Sequence, residues 1–114
     1  MEIKHYSFGR INVDGHEFKS DVIIFPEHVQ DNWRRREGHR LDQEDLRTVL
    51  SDSPDTLVIG SGYYGQMLVP EETLEALRSK GIEIRISRTG EAVREFNRLQ
   101  QKYTCIVAAL HLTC

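Results

Sequence analysis

"TLVIGSGYYGQMLVPEETLEALRSKGIEIRI", residues 56–86, decides how this chain folds. Leu57, Val58 and Ile59 form an apolar, β-branched run that reads as a buried strand. Directly behind it, Gly60, Gly62 and Gly65 spell G-x-G-x-x-G, the spacing of a dinucleotide-binding turn. "PEETLEALRSKG" then reads as a helix. Pro70 suits its first turn, acids follow, Leu74 and Leu77 share an inward face, and Gly81 is placed just past its end. "IEIRI" is the next strand. Strand, helix and strand in that order imply parallel pairing through a right-handed crossover.

In a dinucleotide site the helix begins inside the glycine motif, so that its first N–H groups face the pyrophosphate. Here the helix signal waits until Pro70, and proline biases Val69 away from the helical region. An acid about twenty residues on would normally hold the ribose. That strand tip carries Ser87 and Arg88 instead. The expectation is therefore that the glycines serve a tight turn with positive φ and close backbone approach. Nucleotide binding, or a small-anion nest made by the same N–H groups, stands as the alternative.

Working outward, the first third reads as strands. "IKHYSF" alternates, "RINV" follows, and Asp14-Gly15 signals a hairpin before "HEFKSDVIIF", which Pro26 ends. "EHVQDNW" reads as a short return strand. From Leu41 the period changes: Asp42 caps a helix, with Asp45 three positions on and Leu46, Val49 and Leu50 as its apolar stripe, and "DSPD" closes it. A third helix starts at Thr89 with Ala92, Val93, Phe96 and Leu99 buried, and "CIVAALHL" is the last strand. The expected fold class is α/β, a mixed sheet sandwich of N-terminal antiparallel strands plus a C-terminal β-α-β-α-β unit, in one domain over residues 1–114.

Composition narrows the function classes. With 39% apolar and 29% charged residues in 114, the chain can bury a modest core without metal or disulfide staples. Fifteen basic against eighteen acidic side chains leave −3, which favours neither nucleic acid nor an anionic membrane. Val22 to Phe25 and Ile106 to Leu110 are too short to cross a bilayer, and "MEIKHYSFGR" lacks the apolar core of a signal peptide. A cytoplasmic setting is expected. Cys105 and Cys114 flank a strand and lie too far apart to be bridged, so reduced thiols are expected. His5, His16 and His28 show no ligand spacing, and no metal or cofactor is expected.

Two other stretches carry candidate chemistry. "WRRREGHR" sets Arg34, Arg35, Arg36 and Arg40 around His39, with Trp33 ahead: a receptor for a phosphate or an acidic partner surface, or simply a solvated loop. "HLTC" closes the last strand with His111 and Cys114, at the sheet end where open parallel sheets gather ligands. A thiol and an imidazole there would make a nucleophile and its base, although three positions apart on a strand they face opposite sides. His39 reaches them if its loop folds over that edge. Tyr63 and Tyr64 stack on a ligand or cover the loop. The candidate ligand-binding residues are thus Gly60, Ser61, Gly62, Gly65, Arg34, His39, His111 and Cys114, with no catalytic residue assigned.

Taken together, "FGRINVDGHEFKSDVIIFP", the "GH" before the first helix, "TLVIGSGYYG", "GIEIRISRTGEAVREFNRL" and the terminal "VAALHLTC" resemble the Mth-domain family nearly end to end. The resemblance implies a mixed α/β sandwich with no established enzymatic activity or cofactor. It also implies protein partnership, since eukaryotic members are connected with assembly of a respiratory complex and with signalling or differentiation. The glycine turn matches the family's own, which favours a loop of the fold over a truncated nucleotide site. The functional expectation is a small non-catalytic module binding a protein partner or small ligand in a regulatory or assembly role, with a homodimer open. The alternative is a nucleotide-binding or thiol-dependent enzyme using the turn from Gly60 to Gly65.

Overall fold

The computed structural model describes residues 1–102 and 105–114. Three short strands, β1 (Ile3–Ser7), β2 (Arg10–Val13) and β3 (His16–Phe18), form an antiparallel sheet in that order. Asp14 and Gly15 both take positive φ between β2 and β3, as the hairpin signal requires.

The larger sheet holds five strands. β4 (Val22–Ile24) pairs antiparallel with the two-residue β5 (Val29–Gln30) on one side and with β8 (Ile106–Leu110) on the other. β6 (Thr56–Gly60) lies parallel to both β8 and β7 (Glu83–Ser87), giving the order β5-β4-β8-β6-β7. Of the helices, α1 (Arg47–Asp52) and α2 (Glu71–Ser79) are followed by α3 (Thr89–Leu99). The path from β6 to β7 moves one way across the sheet, and the path from β7 to β8 moves back past β6. Two right-handed crossovers in opposite directions must lie on opposite faces.

Burial follows that topology with the period of two expected of strands. Leu57 and Ile59 of β6, with Val107 and Ala109 of β8, join Leu46, Val49, Leu77 and Trp33 in one core. Val58, Ala108 and Leu110 face the other way and meet Ala92, Val93, Phe96 and Leu99 of α3, with Ile3, Ile11 and Val13 of the small sheet closing over them. The mixed sandwich expected from the sequence is the fold.

Four local readings need correction. His16 to Phe25 is not one strand: it breaks at Lys19–Asp21, where the chain leaves the small sheet for the large one. The first helix opens as a tighter 3-10 turn, Gln43–Leu46, with the Asp45 carboxylate accepting the Asp42 N–H at 2.8 Å, so α1 itself is shorter than the pattern suggested. Pro70 sits at the N-cap of α2, extended at ψ 153°, one position before the first turn. In α2 the buried pair is Thr73 and Leu77, with Leu74 only half-buried, because the Thr73 hydroxyl donates to the Leu41 carbonyl at 2.9 Å and draws that face inward.

Candidate functional site

The glycine turn leaves β6 at the C-terminal end of the parallel strands, beside the ends of β7 and β8. Each of its glycines has a physical reason. A side chain at Gly60 would meet the Thr89 hydroxyl at 2.8 Å and a Leu110 methyl at 2.9 Å, so bare backbone alone lets α3 approach β6 there. Gly62, at φ +112°, lies against the main chain of Thr113 and Cys114, and Gly65 turns at φ +73° over the Arg88 stem.

Five of the turn's N–H groups are spent inside the chain. Ser61 N–H donates to Ser87 O at 2.9 Å, Tyr63 N–H to Thr113 O at 2.7 Å, Gly65 N–H to Gly62 O at 3.1 Å and Gln66 N–H to Cys114 O at 3.1 Å. Gly62 N–H donates to the Thr89 hydroxyl at 2.9 Å, which itself donates to His111 O at 2.6 Å. The Ser61 hydroxyl is bound to Ser87 O. The cradle that would hold phosphate oxygens is therefore filled by residues 113 and 114.

Nor does α2 point at it. Gln66 to Val69 run on as extended chain, with Leu68 N–H donating to His39 O at 2.7 Å and Leu41 N–H to Leu68 O at 2.9 Å, before α2 starts at Glu71. The helix that does meet the turn is α3, and its first N–H, that of Thr89, donates to Gly62 O. A panel of NAD, NADP, FAD and ATP is expected to leave the melting temperature unmoved. A genuine site at about one hundred times its Kd would add roughly 2.7 kcal/mol, which a thermal-shift assay resolves.

Beneath the turn lies a polar cluster that no sequence pattern announced. Asp21, at the break between β3 and β4, accepts the Leu112 N–H on Oδ1 at 2.8 Å. Its Oδ2 accepts Arg35 Nη2 at 2.8 Å and faces His111 Nδ1 at 2.8 Å. Arg35 is turned inward, its side chain 4% exposed, with Gly38 O also taking its Nε and Nη2 protons. Trp33 lies 4.8 Å from its guanidinium carbon. Of the four arginines read as one basic loop, Arg35 is thus a buried anchor.

Burial raises the Asp21 pKa, but the bonds from His111, Leu112 and Arg35 outweigh it and hold the carboxyl below its ordinary value. The carboxylate is a strong acceptor for His111 Nδ1, and Arg35 Nη2 lies 3.0 Å from the same nitrogen. Nε2 and Arg35 Nη1 are buried and make no hydrogen bond among the described residues. An Asp–His pair with a free Nε2 is the geometry of a general base, yet the nearby hydroxyls of Ser61 and Thr89 are both committed to main-chain carbonyls.

Of the sequence candidates, His39 is brought to His111, ring to ring at 5.8 Å, and Cys114 is brought to Gly62. Arg34 is not joined to them: it lines a separate cleft with Gln30, Glu44 and Thr48. Arg36 and Arg40 border another cleft, of about 570 Å³. There their charges are answered by Glu44 and Asp42, each at 2.8 Å. The two cysteines are not joined in a disulfide, and among the described residues no group of three or more His, Cys, Asp or Glu is placed to hold a metal ion. No described helix is long and apolar enough to cross a membrane.

Above the turn sits an aromatic surface. Phe8, Tyr63 and Tyr64 are 48%, 45% and 57% exposed. They are nevertheless in mutual contact, with centroids 5.6 Å apart for Phe8 and Tyr63, 6.2 Å for Phe8 and Tyr64, and 5.0 Å for the tyrosine pair. The last residues of the chain hold these rings in place. Leu112 O accepts the Gly9 N–H of the β1–β2 turn at 2.9 Å, and Thr113 and Cys114 accept from the glycine turn. Tyr6 lies under Tyr63, its phenol donating to Leu112 O at 2.9 Å. Its pKa is pushed up to about 12, chiefly by burial, partly offset by Thr89, with Tyr63 and Asp21 adding to the rise.

Comparison with known proteins gives the chain its relatives. Residues 3–111 match the family described as a protein of unknown function, DUF498/DUF598. A conserved hypothetical protein from Pyrococcus horikoshii OT3 is 30% identical, with a TM-score of 0.84 over 100% of both chains. The protein MT938 is 25% identical, with a TM-score of 0.81 over 99% of this chain and 98% of its own. A Bordetella pertussis protein described as a Mth938-like domain shares the fold at 20% identity and a TM-score of 0.80, over 97% of this chain and 85% of its own. The sandwich is thus matched over nearly its whole length, and the chain belongs to the DUF498/DUF598 family of Mth938-like domains.

Proposed function

We propose that this domain is a non-catalytic module that binds a protein partner through Phe8, Tyr63 and Tyr64, in a regulatory or assembly role within the cytoplasm. The observation that carries the reading is the exposed, ring-to-ring aromatic cluster at the C-terminal end of the parallel strands. Aromatic side chains left half in water cost solvation that a partner recovers, and they lose little conformational freedom on binding because their neighbours already fix them. Arg88 packs its stem against Gly65 beside the cluster and has no ion pair among the described residues. The partner segment that fits is therefore an apolar anchor flanked by a carboxylate.

Support also comes from what the competing enzyme would need. A nucleotide would have to displace the main chain of residues 113 and 114 from the turn. A thiol mechanism at Cys114 would need a base, and the one His111 nitrogen without a hydrogen bond among the described residues, Nε2, is buried.

The test is to select binders from a random peptide library on the folded protein and titrate them against the double variant Tyr63→Ser, Tyr64→Ser. Affinity is expected to fall at least about tenfold, the ~1.4 kcal/mol scale of an aromatic hot spot. The melting temperature should hardly move, since both rings are surface groups. Arg34→Glu with Arg36→Glu is expected to leave binding intact. Peptides that ignore the loss of the rings would overturn the reading.

A further inference from the structure

The sheet edges of this fold are treated unequally. At the start of β1, the outward N–H and C=O of Ile3 are both taken by the Asn97 side chain, at 2.9 and 2.7 Å. On the five-stranded sheet, one edge is β5, only two residues long. The other edge is β7, five residues without proline, and no further strand pairs with it among the described residues. A long open edge is a template for pairing with another chain.

The direction of each β7 residue follows from its bonds. Glu83 N–H donates to Asp55 O, and Ser87 O accepts Ser61 N–H. Residues 83, 85 and 87 therefore turn their main-chain groups toward β6, and Ile84 and Ile86 turn theirs outward. Side chains sort the same way. Glu83 and Arg85 share the α3 face, where Arg85 reaches Glu95 at 3.3 Å. Ile84 and Ile86 share the α2 face, where Ile84 packs on the core and Ile86 is 43% exposed.

We infer that β7 pairs antiparallel with β7 of a second copy of this chain, about a twofold axis at Ile84, joining the two sheets into one of ten strands. Outward-facing residues must oppose outward-facing ones, so only registers that set Ile84 against Ile82, Ile84 or Ile86 of the other copy can form bonds. Charge then selects among them. An axis at Glu83 sets glutamate against glutamate, and an axis at Arg85 sets arginine against arginine. The axis at Ile84 sets Glu83 against Arg85 twice, in the closely spaced non-hydrogen-bonded pairs, and brings each exposed Ile86 opposite Ile82 of the other copy, whose own N–H stays on Leu77 O. This surface is separate from the aromatic cluster and does not depend on it.

Sedimentation equilibrium on the intact protein tests the assignment. The average mass is expected to rise from one chain toward two with concentration. Arg85→Glu, which opposes Glu83 with a second glutamate, is expected to weaken dimerisation at least tenfold, and Glu83→Arg with Arg85→Glu to restore it. Ile86→Pro removes an outward N–H while sparing the ladder to β6, and is expected to give monomer with an unchanged circular dichroism spectrum. A wild-type chain that stays monomeric, its edge open to an unlike strand, overturns the inference. So does a dimer that is indifferent to the charge reversal.

Discussion

Asp21→Ala is expected to destabilise the domain by about 3 kcal/mol, the lower end of what removing one partner from a buried ion pair costs. For a chain of this size that corresponds to a fall in melting temperature of roughly 10 °C or more. The loss has two sources. The Arg35 guanidinium would keep its charge in a buried position with no carboxylate to answer it, and the Leu112 N–H and His111 Nδ1 would lose their Asp21 partner together. Trp33 is the single tryptophan and stacks on Arg35, so its fluorescence in a urea titration reports the cluster directly. Removing the cation as well, in Asp21→Ala with Arg35→Met, is expected to cost clearly less than the two single changes added together. A loss below about 1 kcal/mol for Asp21→Ala would mean that water satisfies the arginine, and the cluster would not be an anchor of the fold.

The pH dependence of that difference has a definite sign. Asp21 titrates in the folded protein below its unfolded value, so it contributes stability that is fully present above about pH 4 and disappears as pH falls through the folded value. The gap between the wild type and Asp21→Ala should accordingly be widest near neutrality and close in acid. A gap that stayed constant down to low pH would assign the effect to packing instead of charge.

Why this cluster escaped sequence reading is a matter of range. Periodicity sees residues that share an element: Leu57 and Ile59, or Ala92, Val93, Phe96 and Leu99, were legible because two- and 3.6-residue repeats are local. Asp21, Arg35 and His111 lie on a strand break, a loop and a strand end, and only the order β4-β8-β6 brings them together. A signal did exist at Asp21, a charged residue directly before the buried run Val22–Ile24, but the continuous strand reading from His16 absorbed it. Nothing in "WRRRE" distinguishes Arg35 from its neighbours, since which arginine turns inward is set by Asp21 across the chain. The glycine turn was legible for a different reason. Proline geometry at Pro70 and the need for positive φ act on the residues themselves, whatever the rest of the fold does. Phe8 lay beyond such reasoning, because its contact with Tyr63 is made only when the β1–β2 turn docks on Leu112.

Gly62→Ala tests how the chain closes on itself. At φ +112° the backbone lies where an L side chain is strained, and the new methyl would fall 2.8 Å from Thr113 O and closer still to the Cys114 carbonyl. Strain of this kind costs of order 1–3 kcal/mol, and the clash is with main chain, which cannot swing aside as a flexible side chain would. Residues 113 and 114 must therefore leave the turn, taking with them the bonds from Tyr63 and Gln66. The expected result is a loss of at least about 2–3 kcal/mol together with fast amide exchange at Tyr63 and Gln66. If those residues also position the aromatic rings, peptides selected on the wild type should bind the variant more weakly even at temperatures where it is fully folded. Gly65→Ala, whose nearest obstacle is the flexible Arg88 stem at 3.3 Å, carries the backbone strain without the main-chain clash. Equal losses from the two substitutions would show that the packed main chain of residues 113 and 114 adds nothing to the turn, and that it is not what keeps a ligand out.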